Sequence, residues 1–343
     1  MRIILDGMGG DHAPAEIVKG AVQAAELIPH ELVLVGKQEE IEEELRKCKY
    51  TGDQIKIVNA TEVITMEDSP VKAIRRKKDA SLVVALNMIK DGEGDLLISG
   101  GNTGALVVGS RLLLGRIDGI DRPVLASIYP CLGKEPSLLV DAGASSEAKA
   151  NNLLEYGLMG SIFVEKVWGR ENPRVGLVNL GVEETKGTAV TKDAHQKLKA
   201  TDLNFVGNVE AREIPKSACD VIVCDGFVGN VILKLTEGLA WNILKVVKNK
   251  MMTNIKTKLA AVMLKTQLME LKDDFDYESY GGAPILGVNG PVIKIHGSST
   301  ASAVKNAIIK GIPYGEENVV ETIRTAMLDL AEIAGEEEEI AEE

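Results

Sequence analysis

The sequence predicts an α/β fold built on a doubly wound, mainly parallel sheet. Short apolar runs alternate with helical patterns from the first residue onward. Most of these runs are almost continuously apolar, as expected of strands covered by helices on both faces. Several also end alike, with an apolar run followed by Asp, Asn or Ser and then glycine. Alternation of this kind is the pattern of βαβ units.

The elements follow in order. Ile3-Ile4-Leu5 forms a first strand that closes at Asp6, and a helix follows with Ile17, Ala21, Ala24 and Ile28 on one face. Leu32 to Gly36 is a second strand, followed by a charged helix and then by Ile55 to Val58. A helix is predicted to start near Ser69-Pro70, where proline suits the first helical turn. Further strands are Leu96–Ser99, Ser137–Asp141, Val175–Asn179 and Asp220–Asp225. Residues 1–335 read as one α/β unit, either a single body or two coupled lobes, and an acidic tail occupies 336–343.

Composition narrows the function. The 343 residues carry a net charge of -12, which argues against general nucleic-acid binding but leaves room for local basic patches. Aromatic residues are only 3%, so the core must be built from aliphatic side chains. The four cysteines (Cys48, Cys131, Cys219, Cys224) form no CxxC pair and read as reduced, mostly buried thiols of a cytosolic protein. The N-terminal stretch lacks the apolar core of a signal peptide, and no apolar run approaches a membrane span. No HExxH, HxH or Cys/His cluster predicts a metal site, and no GxSxG elbow predicts a serine nucleophile.

In an open α/β sheet, ligands bind at the carboxyl ends of the parallel strands. Five loops are therefore candidates. The first, Asp6-Gly7-Met8-Gly9-Gly10-Asp11-His12, is either an anion-binding turn or a tight structural one, and it lacks the dinucleotide fingerprint GxGxxG. Ser99-Gly100-Gly101-Asn102-Thr103-Gly104 offers hydroxyls, an amide and freely oriented N–H groups before a helix, as an anion cradle or a capped turn. Asp141 opens a third loop. Asn179 to Gly187 brings Lys186 beside two glycines, as an anion-binding cation or a surface lysine; Asp193 downstream is a candidate base or an ordinary helix residue. Asp225 is a ligand group or a helix cap, with Asn230 and Lys234 on the helix that follows. His12 and His296 sit in Gly/Asp/Ser-rich stretches.

Two basic features interrupt the acidic background. Arg75, Arg76 and Lys78 lie at the end of a predicted helix, as a solvated face or a dock for an acidic partner. The stretch 241–272 has seven lysines and one glutamate interleaved with Met252, Leu259, Met263, Leu264 and other apolar residues. It predicts an amphipathic helical hairpin, used for dimer packing, for a membrane surface, or for both.

Ten segments, LDGMGGDHAP (5–14), SPVKAIRRKKDAS (69–81), SGGNTGA (99–105), IDRP (120–123), DAGA (141–144), NLGVEETKG (179–187), NVEAR (208–212), DVIVCDGFVGNVILK (220–234), YGGAPILGVNG (280–290) and HGSS (296–299), together resemble the phosphate acyltransferases of bacterial phospholipid synthesis. The resemblance runs nearly end to end. It implies a core shared with phosphotransacetylases and with the isocitrate and isopropylmalate dehydrogenases. It also implies transfer of a fatty acyl group from acyl-[acyl-carrier protein] to inorganic phosphate, with no cofactor. The implied protein is a cytoplasmic homodimer at the inner face of the membrane, feeding a membrane glycerol-phosphate acyltransferase. Where the family usually reads Asn after DxGA and Ala within SxGNTGA, this chain has Ser145 and Gly101.

On that reading a phosphate oxygen attacks the thioester directly, held by Lys186 and glycine-loop N–H groups, with Asp225 and His12 as candidates to orient it or take its proton. Asp6, Gly9, Gly10, Asp11, Ser99, Gly100, Asn102, Thr103, Asp141, Asn179, Gly187, Asn230 and His296 are the expected substrate-binding residues, and Arg75, Arg76 and Lys78 the expected carrier dock. Three rivals stand beside it: a short-chain acyl-CoA phosphotransacetylase, a nicotinamide-dependent decarboxylating dehydrogenase, and a non-catalytic membrane-surface scaffold.

Overall fold

The computed structural model describes residues 1–274 and 280–342. The chain runs β1 (Arg2–Asp6), α1 (Ala15–Ala25), β2 (Glu31–Gly36), α2 (Gln38–Lys47), β3 (Ile55–Asn59), α3 (Pro70–Arg76), α4 (Ser81–Lys90), β4 (Leu96–Ser99) and α5 (Thr103–Gly109), which passes into a π-helical turn. Then come β5 (Val124–Leu125), β6 (Ser127–Tyr129), β7 (Ser137–Val140), α6 (Ala150–Trp168), β8 (Val175–Asn179), α7 (Ala189–Lys199), β9 (Phe205–Glu210) and β10 (Val221–Val223). The last part holds α8 (Gly226–Met251), α9 (Ile255–Met263), α10 (Lys265–Asp274), β11 (Ala283–Leu286), β12 (Val292–Lys294), α11 (Ala301–Glu316) and α12 (Val319–Glu342).

Sequence chemistry sets several helix starts. Asn102, Thr188, Asp225 and Thr300 each accept a backbone N–H two or three residues into the helix they begin. Pro70 stands at the start of α3, as its spacing predicts.

The α/β expectation holds, and the strands divide between two sheets. Among the described residues, one sheet has the order β3-β2-β1-β4-β12-β11-β5 and the other β6-β7-β10-β8-β9. The first is parallel from β3 to β12, and β11 runs against both its neighbours. The second is parallel except at β6. The chain changes sheet across a single residue, Ala126, whose N–H is held by the Pro284 carbonyl at 2.9 Å. One continuous apolar core joins Leu5 and Ile98 of the first sheet to Val140 and Val223 of the second. At its centre, Tyr314 of α11 meets Phe163 of α6 edge to face and donates its hydroxyl to the Ile285 carbonyl at 2.9 Å.

The stretch 241–272 falls on α8, α9 and α10, and α8 begins upstream of 241. α8 starts at the strand-end loop of β10 and runs 26 residues, roughly 39 Å at 1.5 Å each. α9 and α10 fold back along it and leave an apolar groove of about 910 Å³ between Trp241, Val247 and Met251 on one arm and Val262, Leu268 and Met269 on the other. No helix among the described residues is long and apolar enough to cross a membrane. The tail expected at 336–343 continues α12 to Glu342, and its side chains lie outside the described residues.

Candidate active site

Register brings three polar residues side by side at the carboxyl edge of the first sheet. Leu5 is in step with Ile98, so Asp6 and Ser99 come next together, and Ser99 is in step with Lys294 of β12. Asp6 is 2% exposed. It accepts the Ser81 hydroxyl at 2.6 Å and the Ser99 hydroxyl at 2.7 Å. Burial pushes its carboxyl above the ordinary range, and the two hydroxyls work against that push. Ser81 begins α4, so one carboxylate ties β1, β4 and α4 together.

Three loops close over this edge with no space between their backbones. A side-chain carbon on Gly9 would strike the Asp6 carboxylate and the Gly101 amide, and one on Gly100 would strike the Gly9 carbonyl. Gly10 adopts a φ of +129° against the Gly297 carbonyl, which also accepts the Asp11 N–H at 2.7 Å. Gly101 sits so near Asp6 and Ser99 that an alanine there would have to displace them slightly.

Across from this edge stand the carboxyl ends of β7 and β10. Asp141 is fully buried and accepts the N–H groups of Gly143, Ala144 and Ser145 and the Ser145 hydroxyl, so Ser145 supports the turn. α8 packs on that loop so tightly that a side chain at Gly229 would overlap the Asp141 carbonyl. This turns Asn230 and Lys234 toward the first sheet.

A cleft of about 490 Å³ lies between the two edges. Asp11, Thr103, Lys294 and His296 line one wall, Asn230, Lys234 and Glu237 the other, and Leu125, Ile128 and Leu233 supply an apolar portion. The His296 ring is bonded to the Ser298 hydroxyl at 2.7 Å. Loss of solvent, followed by the nearby Lys294 and Lys234, holds its pKa below the usual histidine value. Among the described residues, no cluster of three or more His, Cys, Asp or Glu side chains is arranged to hold a metal ion.

A family described as "Fatty acid synthesis protein" matches residues 1–322. The phosphate acyltransferase of Alkaliphilus oremlandii is 51% identical over 332 residues, covering 97% of this chain and 99% of its own. That of Clostridioides difficile is 47% identical, covering 94% and 95%. The chain belongs to the phosphate acyltransferase family. Its fold is similar to that of a Streptococcus pyogenes phosphotransacetylase, with a TM-score of 0.65 at 16% identity over 93% of this chain and 94% of that one. An Enterococcus faecalis branched-chain phosphotransacylase gives 0.56 at 13% identity over 93% and 100%.

Within this phosphate acyltransferase fold the sequence-predicted residues separate into groups. Asp11, Thr103, Asn230 and His296 line the cleft. Asp6, Gly9, Gly10, Ser99 and Gly100 build its floor, and Asp141 shapes the opposite loop. Asn102 is spent on structure: its oxygen caps α5, and its amide holds the Thr65 and Met66 carbonyls at 3.1 and 3.2 Å. Asp225 caps α8 by accepting the Val228 N–H at 2.9 Å. His12 is exposed on the turn before α1. Lys186 is exposed in a loop closed by Asn179, whose amide donates to the Lys186 carbonyl, and by Gly187. None of Asn102, Asp225, His12, Lys186, Asn179 and Gly187 is among the cleft-lining residues. Sequence reasoning missed Lys294 and Glu237. The signal for Lys294 was a lone lysine inside the apolar run Val292-Ile293-Lys294-Ile295 before His296-Gly297.

Replacing Asp6 with alanine leaves two buried hydroxyls without their acceptor. Asp6→Ala is expected to lower unfolding stability by about 2–4 kcal/mol. Urea denaturation checks this, and a loss below about 1 kcal/mol would mean that the serines find other partners.

Proposed function

We propose that the protein transfers a long-chain acyl group from acyl-[acyl-carrier protein] to inorganic phosphate, giving an acyl phosphate for phospholipid synthesis. The observation that carries this reading is the cleft itself, where cationic side chains and close-packed glycine loops meet an apolar wall in one space. That combination suits a phosphate and the start of an acyl chain together. A phosphate oxygen attacks the thioester carbonyl and the C–O bond forms, giving a tetrahedral intermediate; this collapses as the C–S bond breaks, and the proton lost by phosphate ends on the carrier thiol. Cleft cations and backbone N–H groups offset the charge of the tetrahedral intermediate. The buried cysteines are poor candidates for a covalent relay. Burial pushes the Cys219 thiol up to about 12 and the Cys224 thiol well above its ordinary value.

The deciding assay follows free carrier thiol released from palmitoyl-carrier protein. Release is expected only with phosphate present. Equal release without phosphate, or a preference for short acyl-CoA, would sink the reading.

An acidic carrier must approach an acidic enzyme, so local positive charge has to guide it. Arg75, Arg76 and Lys78 are exposed at the end of α3, and none forms an ion pair among the described residues. Lys77 differs: it is bound to Asp68 and to the Val63 carbonyl and serves the fold. The other end of α3 abuts Gly104, next to cleft residue Thr103. Arg75→Glu with Arg76→Glu is expected to raise the KM for acyl-carrier about tenfold with kcat within about twofold. An unchanged KM removes this docking site.

The hairpin supports a homodimer and a membrane-surface role. Leu235, Leu239 and Ile243 are exposed along α8, and on α9 Leu259 and Met263 are 65% and 76% exposed, near Lys256 and Lys258 in sequence. Apolar tips enter the acyl boundary while lysine heads meet anionic lipid. Leu259→Glu with Met263→Glu should abolish flotation with anionic vesicles, and Leu235→Glu with Leu239→Glu should yield a monomer in sedimentation equilibrium. Parent-like flotation or parent-like mass would reject the corresponding role.

A further inference from the structure

We infer that Lys294 is the cation that binds the phosphate in the cleft, and that arrival of the anion is coupled to protonation of its amine. The inference rests on the acyl-transfer reading only in taking inorganic phosphate as the anion.

Lys294 ends β12, in step with Ser99 on one side and Ala283 on the other. It is only 8% exposed, yet it lines the cleft. Its amine donates to the neighbouring Ile295 carbonyl, which leaves two of the three donors of the charged form for a ligand. No carboxylate forms an ion pair with it among the described residues. Asp6, the carboxylate one strand further on, already accepts two serine hydroxyls.

The other basic groups of the cleft are differently placed. Lys234 is exposed and bound to Glu237 at 2.8 Å. The His296 ring is held by Ser298. The titratable groups around Lys294 are Asp6 from β1, Asp11 from the first loop, His296 from the loop after β12, and Lys234 with Glu237 from α8. Asp6 and Asp11 favour its charged form, but burial outweighs them and brings its pKa down to about 8.

A buried ammonium without a contacting counter-ion is costly, and a phosphate dianion supplies the missing charge. The sign follows. Below pH about 8 the amine is already charged and phosphate binds without taking up a proton. Above that pH each binding event must bring a proton, so affinity should fall by about tenfold per further pH unit. An exposed lysine would give no such fall before its ordinary pKa near 10.4.

The test is the KM for inorganic phosphate between about pH 7 and 9.5, with saturating palmitoyl-carrier protein. In the parent it is expected to rise steeply above about pH 8. In Lys294→Arg, whose charge is permanent, the rise should disappear. Lys294→Gln should raise the phosphate KM about 10- to 100-fold and leave the acyl-carrier KM within about twofold. Calorimetric titration of the parent with phosphate at about pH 9, in two buffers of different ionisation enthalpy, should show proton uptake, and this readout stands even if a variant fails to fold. A parent KM that stays flat with pH, or titration heats independent of the buffer, would overturn the inference. So would a Lys294→Gln protein with lowered kcat and parental phosphate KM, since the lysine would then serve the carbonyl instead. A parent that binds phosphate with proton uptake but releases no carrier would refute the acyl-transfer reading and leave the anion site standing.

Discussion

Water does not reach the carboxylate of Asp6, so its acceptor oxygens must be satisfied from within the protein. Ser81 and Ser99 do this from two other elements, and that requirement organises this edge of the sheet. For Ser99 to come close, the glycine loops after β1 and β4 must pack backbone to backbone. Gly9, Gly10 and Gly100 are therefore positions where a side chain has no room. The same crowding fixes the third loop, because Asp11 takes its backbone partner from Gly297. The result is a floor whose polar groups are ordered before any ligand arrives, which is what electrostatic stabilisation of a developing charge requires.

The second sheet completes the cleft through one helix. α8 starts at a cap supplied by Asp225 and lies against the Asp141 loop at Gly229. Its first turns present Asn230 and Lys234 to the cleft, and its far end carries the exposed apolar hairpin. A single continuous helix thus links the cleft to the surface proposed to meet lipid. On the proposed reading, an acyl product poorly suited to water would be made at one end of a rod whose other end would meet the headgroup layer.

Much of this was legible in the sequence, for physical reasons. Strands covered on both faces must be continuously apolar, so β1, β2, β4, β7, β8 and β10 announced themselves, and their Asp, Asn and Gly endings marked a shared edge. The division into two sheets was not legible, because β5, β6 and β11 are two to four residues long and the change of sheet occupies only Ala126. Lys186 stood in the loop that looked most like a cation site. But β8 lies between β10 and β9, one strand further from the cleft-facing β7 than β10 is, and its loop opens to solvent instead. Asp225 and Asn102 were ambiguous between cap and ligand, and helix capping claimed both. Lys294 gave little signal because burial of a lysine depends on neighbours from β1, β4 and β11, which local pattern does not reveal.

The placement of that lysine also bears on how an acidic protein holds a small anion at all. With a net charge of -12, the long-range field repels phosphate, and exposed lysines are screened within about 8 Å at physiological salt. A buried amine escapes much of that screening. The fold has already borne the cost of desolvating it, so a phosphate bound as proposed would meet a cation whose water is gone and whose geometry is fixed. In the proposed docking, surface cations such as Arg75 and Arg76 would serve a different purpose, guiding a large acidic partner over distances where screening matters. In the proposed reaction, positive charge is therefore divided by depth: shallow charge to steer the carrier, and deep charge to hold the nucleophile that receives the acyl group.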